Sequence, residues 1–211
     1  MKVFSNSEGA TLSARVPSYV LSELWQEVVV ERGTNWGQVV SESMCPVIKK
    51  GDRVLVEKVA WDRIRFGDVI VFRKAGNLTV HRVLGKRKID GGCYLLEKGD
   101  AVLWSSLVPV EEVVGRVRSI ESSGRITDAV SGYGRFLQMS LACQSYISLH
   151  VWRLLAYCLR CLGQTPYRRL YAGSYRKLST RTQHVILLLA VTWGAVKGGE
   201  RGKATCIKME P

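Results

Sequence analysis

After Gly33 the hydrophobic pattern of this chain changes from steps of three and four to a step of two, and glycine-containing turns cut it into short runs. Six such runs are candidate strands: Gln38–Ser41, Arg53–Lys58, Asp68–Arg73, Thr79–Lys86, Cys93–Glu97 and Glu112–Ile120. Between them stand Lys50-Gly51-Asp52, Phe66-Gly67-Asp68, Ala75-Gly76-Asn77, Asp90-Gly91-Gly92 and Lys98-Gly99-Asp100, each a turn signal. No helical stretch interrupts the series, so parallel βαβ units are excluded and a compact, mainly antiparallel sheet is expected over 36–121. Ahead of it, residues 1–17 read as irregular. Ser18 is a plausible cap for a helix over Tyr19–Val30, with Leu21, Leu24, Trp25 and Val28 on one face. The fold class is α+β.

The charge divides the chain again. Its 211 residues carry 31 Lys/Arg against 18 Asp/Glu, a net charge of +13. Residues 1–121 are nearly balanced, whereas 122–211 hold 13 cations and only three acids, Asp128, Glu200 and Glu210. Ser122-Ser123-Gly124 marks the change, giving an N-terminal segment 1–35, a β domain 36–121 and a basic region 122–211. That region reads as helix: Phe136, Met139, Cys143, Ile147, Val151, Leu154, Cys158 and Leu162 recur at three- and four-residue steps. Arg153 and Arg160 lie on another face, and Arg168, Arg169, Arg176, Lys177 and Arg181 follow, interleaved with Tyr167, Tyr171 and Tyr175. A hydrophobic content of 46% and a charged content of 23% suit a chain that buries a core and exclude wholesale disorder.

So basic a balance points to a polyanionic partner, an anionic membrane surface or a nucleic acid. The first twenty residues contain no apolar run of the signal-peptide type. Val185–Val196 is the most apolar run, but 12 residues rise only about 18 Å as a helix against a hydrocarbon core of about 30 Å. Phe136–Trp152 is uncharged but diluted by Gln138, Ser140, Gln144, Ser145, Ser148 and His150, so both read as amphipathic or buried helices. Six cysteines in this length make no disulfide scaffold, and the lone Cys158/Cys161 pair reads as two small apolar side chains on adjacent helical turns. Nothing calls for a metal or another cofactor.

The chemistry lies in Ser41-Glu42-Ser43-Met44-Cys45-Pro46, followed by Gly51-Asp52-Arg53-Val54-Leu55-Val56. A serine hydroxyl is a weak nucleophile until a base takes its proton, and a sharp turn before a proline can present it. Further on come Gly67-Asp68-Val69-Ile70-Val71-Phe72, then Val80-His81-Arg82-Val83, then Lys98-Gly99-Asp100. His81, one of three histidines, falls in an apolar β-branched run where an imidazole is costly unless bonded. These boxes, in this order over about 36–120, resemble the type I signal peptidases, membrane-associated serine endopeptidases that remove secretory signal peptides. That family has a Ser/Lys and a Ser/His branch, and the histidine at the base position resembles the Ser/His branch of the endoplasmic reticulum and archaea.

The resemblance implies roles. Ser43 matches the nucleophile and His81 the general base. The Ser43 N–H, with the Ser41 hydroxyl, is implied to stabilise the oxyanion. Asp100 matches the family's GD turn and is the candidate to orient His81. Met44 and Pro46 set the turn, with Met44 lining the cleft. The implied substrate is a precursor protein or leader peptide bound as an added strand, with peripheral membrane association the leading reading of the basic region and nucleic acid behind it. Three departures stand out: Ala101–Ser106 lacks the second Asp usual in Ser/His members, no apolar anchor precedes the serine box, and the region from 122 matches nothing in the family. Two other readings remain. One is an autoprotease-type regulator resembling LexA-like repressors, which use a lysine base. The other is a non-catalytic peptide-binding module of the same fold.

Overall fold

The computed structural model describes residues 18–161, 181–183 and 185. Helix α1 (Ser18–Arg32) buries Ser22, Trp25 and Val29, while Leu24 is exposed. The buried stripe is therefore turned from the one expected, because the helix seats on the sheet through Trp25, whose indole N–H donates to the Trp36 carbonyl at 3.2 Å. The Ser22 hydroxyl reaches the Gly76 carbonyl at 3.3 Å. Gly33, at φ +75°, reverses the chain directly into β1 (Thr34–Gln38), a few residues earlier than the period-two run suggests. Val39 is then taken up by the Lys50-Gly51-Asp52 turn, donating to the Asp52 carbonyl and accepting from Gly51 N–H, both at 2.8 Å.

The next strands fall where the alternation places them: β2 (Arg53–Glu57), β3 (Val69–Lys74), β4 (Asn77–Ile89) and β5 (Gly92–Lys98). Two more strands follow, β6 (Ser106–Pro109) and β7 (Val113–Ser122), and then β8 (Arg125–Asp128). Every pairing is antiparallel, in the order β1-β2-β7-β3-β4-β5-β6, with β8 added to β7. This is an α+β fold built on one antiparallel sheet. Neither β6, a four-residue edge strand ending in proline, nor β8, exposed throughout, carries an alternation that sequence reading can detect. The Ser122–Gly124 stretch forms the β7–β8 turn, with Ser123 and Gly124 at positive φ, so the sheet continues to Asp128.

Alternation assigns residues to two sides. Val69, Val71, Leu78 and Val80 join Trp25, Val29, Met44, Ile48, Val54 and Val56 in the main core. Ile70, Phe72, Val83 and Leu95 pack with Ile64 and Val108 in a second cluster. A third, smaller cluster joins Leu84 to Ala142 and Leu149 of helix α2 (Gly132–Cys161). Gly67 lets that helix come close: a Cβ there would lie 3.2 Å from both the Gln138 carbonyl oxygen and the Met139 Cα. Arg135 adds an ion pair to the buried Asp68 and a 2.9 Å bond to the Phe66 carbonyl.

As far as Leu154, the apolar stripe read from the sequence of α2 faces outward. The docked face is instead Gln138, Leu141, Ala142, Ser145 and Leu149. Among the described residues, no helix is long and apolar enough to cross a membrane. The side chains of Cys158 and Cys161, the Arg168–Lys177 cluster and the apolar run beyond Val185 lie outside what is described.

Candidate active site

The serine box leaves β1 and coils into a tight turn. Cys45 N–H donates to the Glu42 carbonyl at 3.1 Å, and Val47 and Ile48 N–H both donate to the Met44 carbonyl, at 3.1 and 3.0 Å. Met44 is 1% exposed and sits in the main core, so it anchors the turn from beneath instead of lining a cleft. Burying such a side chain contributes about 1.5–3 kcal/mol. Pro46 is also buried and follows a cis peptide bond. Ser43 sits at the turn with its Oγ 3.4 Å from the Ser41 Oγ. The GD motifs that follow hold their own turns: Asp52 accepts from Lys49 N–H at 2.8 Å, and Asp68 from Arg65 N–H at 2.7 Å.

His81 lies in β4 opposite Ile70, its ring 5.9 Å from that of Phe72 in a T-shaped contact. Its Nδ1 is hydrogen-bonded to Glu97 Oε2, and its buried Nε2 has no hydrogen-bond partner. A carboxylate on Nδ1 fixes the tautomer in which Nε2 carries the free lone pair, the arrangement a general base needs. Glu97 is 2% exposed and accepts the Ser106 hydroxyl on its other oxygen, with Lys74 Nζ 3.7 Å away. Burial pushes its carboxyl up, but the His81 bond and charge, the Ser106 bond and Lys74 outweigh this and hold it below the ordinary glutamate range. Glu97 therefore stays ionised at neutral pH and stabilises a positive charge on the imidazole.

Gly99 joins the two halves. A Cβ at Gly99 would lie 2.7 Å from the Ser43 carbonyl oxygen and 2.9 Å from His81 Nε2. Nucleophile residue and base are thus neighbours across one backbone atom, although no Ser43–His81 hydrogen bond is closed in this conformation. Such bonds are often open without substrate. The turn that carries Gly99 is tied to the serine box by Ala101 N–H, which donates to the Ser43 carbonyl at 2.9 Å.

Asp100, the candidate to orient His81, has its carboxylate on Arg82 instead. Its carboxylate makes a bidentate pair with Arg82, at 2.8 and 2.7 Å, both side chains being fully buried. Arg82 also donates to the Gly67 carbonyl at 3.1 Å and to the carbonyl and side-chain oxygens of Gln138 on α2. From the far end of the described chain, Gln183 donates to the Asp100 carbonyl at 3.2 Å. The structure thus brings Ser41, Ser43, His81 and the Gly99–Asp100 turn together, and gives the orienting bond on His81 to Glu97. Sequence reading passed over Glu97, Ser106, Arg82 and Gln138. Glu97 and Lys98 continue an apolar strand and are almost wholly buried, which their place near a strand end does not reveal in the sequence.

Residues 9–98 match the family model described as Peptidase S24-like. The match supports the superfamily of LexA-like peptidases and signal peptidase I, and a serine peptidase in general. No curated protein matches the chain. The matched segment contains Ser43, His81 and Glu97 and stops at Lys98. Gly99, Asp100 and helix α2 lie outside the matched segment, although Arg82 and Arg135 pack α2 onto the same sheet.

Proposed function

We propose that the S24-like domain is a serine endopeptidase of the signal peptidase type that cleaves signal or leader peptides from precursor proteins. One observation carries this reading: a buried histidine with Nδ1 on a carboxylate and an unpartnered Nε2, one backbone atom away from the Ser43 turn. His81 Nε2 takes the proton as Ser43 Oγ attacks the scissile carbonyl. Glu97 stabilises the imidazolium that forms, and His81 returns the proton to the leaving amine. Water then hydrolyses the acyl-enzyme by the same route. The Ser43 N–H and the Ser41 hydroxyl are the donors assigned to the oxyanion, each typically contributing about 3 kcal/mol. A histidine base, where the LexA-like repressors use lysine, favours processing of a separate precursor over self-cleavage.

The test pairs a fluorophosphonate probe with processing of a precursor peptide bearing small residues before the cut. Wild type labels on Ser43 and cleaves. Ser43→Ala abolishes both, and His81→Asn slows both by about 10²–10⁴-fold. Wild-type processing by either variant refutes the assignment. Labelling without cleavage of any leader peptide retains the serine nucleophile and refutes the substrate class.

A further inference from the structure

One line of side chains runs from His81 to solvent. Register sets its members on a single face of the sheet: Ile70 lies opposite His81, Lys74 opposite Asn77 and Glu97 opposite Ser106. Steps of two along β3 place Lys74 on the same side as Ile70 and Phe72. From there Lys74 Nζ donates to Ser106 Oγ at 3.1 Å. Ser106 Oγ donates to Glu97 Oε1, and Glu97 Oε2 accepts from His81 Nδ1. The line thus draws on β3, β4, β5 and β6, which are consecutive in the sheet. Its middle is dry and its outer end is wet, the Glu97 and Lys74 side chains being 2% and 55% exposed.

Donor chemistry fixes the direction of each bond. An ammonium has only hydrogens to give, so Lys74 takes up a lone pair of Ser106 Oγ and leaves the hydroxyl hydrogen for Glu97. An ionised carboxylate only accepts, so the proton on the Glu97–His81 bond belongs to Nδ1. Both carboxylate oxygens are then held, Oε1 by Ser106 and Oε2 by His81. Without the Ser106 hydroxyl, Oε1 would be a buried charged acceptor with Lys74 Nζ 3.7 Å away. The carboxylate would turn toward the ammonium, since an unmet buried acceptor is costly, and Oε2 would leave the ring. Arg82 and Asp100, the neighbouring buried charges, pair with each other. We propose that Ser106 and Lys74 are positioning residues: together they hold Glu97 in the orientation that keeps the His81 ring protonated at Nδ1 and bare at Nε2. Their effect on rate rests on the peptidase reading above, whereas their effect on the ring does not.

The test is histidine-selective nitrogen NMR of the full chain, run beside the rate of Ser43 labelling by the fluorophosphonate and kcat and KM for the precursor peptide. Wild type shows one ring protonated at Nδ1 alone, with a low-field proton resonance that His81→Asn removes. Ser106→Ala loses that pattern and slows labelling by about 10–10²-fold, the loss falling on kcat with KM unchanged. Ser106→Thr keeps the hydroxyl and restores both. Lys74→Met broadens the resonance and slows labelling by about two- to fivefold, the scale of a half-exposed ion pair, and Lys74→Arg restores most of the loss. The Lys74 variants change a half-exposed side chain and carry the test where Ser106→Ala fails to fold. A wild-type ring that is not protonated at Nδ1 overturns the proposal. So does a ring signal that survives unchanged in Ser106→Ala and Lys74→Met, whatever happens to the rate. Loss of the signal in these variants, with a wild type that neither labels nor cleaves, upholds the positioning and refutes the peptidase reading.

Discussion

Gly99→Ala is the smallest change that separates the nucleophile from its base. The added methyl would meet the Ser43 carbonyl oxygen at 2.7 Å, His81 Nε2 at 2.9 Å and a Val102 methyl at 2.9 Å. Restoring ordinary contact takes a shift of roughly 0.5 Å or more at each neighbour. Val102 can yield by moving a side-chain end. The Ser43 carbonyl is pinned by Ala101 N–H, and the imidazole by Glu97. Shared between them, the displacement widens the gap by about 1 Å, and misplacement of that size costs about 10²-fold in rate. Overpacking costs about 1–3 kcal/mol in stability, within the 5–15 kcal/mol typical of a folded domain, so the variant stays folded. The assay is the second-order rate of Ser43 labelling by the fluorophosphonate, with the urea midpoint measured on the same sample. Gly85→Ala is the control, its nearest neighbour being Arg87 Nη1 at 3.8 Å. Wild-type labelling by a folded Gly99→Ala would show that Gly99 does not separate the two groups, and the site as built here would be wrong.

Glu97→Gln keeps the shape of the side chain but removes the charge that stabilises the imidazolium; processing is expected to fall by about 10²–10⁴-fold with precursor binding unchanged. Because the folded-state pKa of Glu97 is depressed, its contribution is fully present above the unfolded value of about 4.3 and is lost as pH falls through the folded value. Denaturation of wild type at stepped acid pH should show that loss, and Glu97→Gln should lack it; superimposable acid limbs would refute the pairing. Asp100→Asn strands the buried Arg82 charge and is expected to destabilise by about 3–5 kcal/mol in urea titration, and Arg82→Met with Asp100→Leu should recover most of it. No recovery in the double variant would mean that the turn needs the carboxylate for something other than the ion pair.

Much of the fold was legible because alternation and turn chemistry agree. Ala75-Gly76 and Asp90-Gly91 both place two consecutive residues at positive φ between β-branched runs, and both close hairpins. The missed strands lack one or both signals: β6 is four residues at an edge, and β8 is exposed throughout. In the site, Ser43 and His81 stand out because a hydroxyl in a tight turn and an imidazole in an apolar run each need a reason to be there. Glu97 gave no such warning. A glutamate near a strand end reads as solvated until tertiary pairing buries it against His81 and Ser106. Asp100 illustrates the converse: its place in a GD turn is visible, but its partner Arg82 comes from a strand 18 positions away in sequence. For α2 the period of the stripe was visible and its direction was not, since amphipathic spacing cannot say which of two apolar faces meets the sheet.

His81 and Arg82 are consecutive on β4, and the pleat sends them to opposite sides: the imidazole toward Phe72 and Glu97, the guanidinium toward Asp100 and Gln138. Parity along one strand thus sorts proton transfer from scaffolding. A slip of a single residue would put a permanently charged guanidinium where the proton acceptor must stand and an imidazole where the ion pair must close. An insertion or deletion in the Ala75-Gly76 hairpin, remote from any reacting atom, would therefore silence the site more completely than most substitutions beside it. Length, more than composition, is what that hairpin cannot vary.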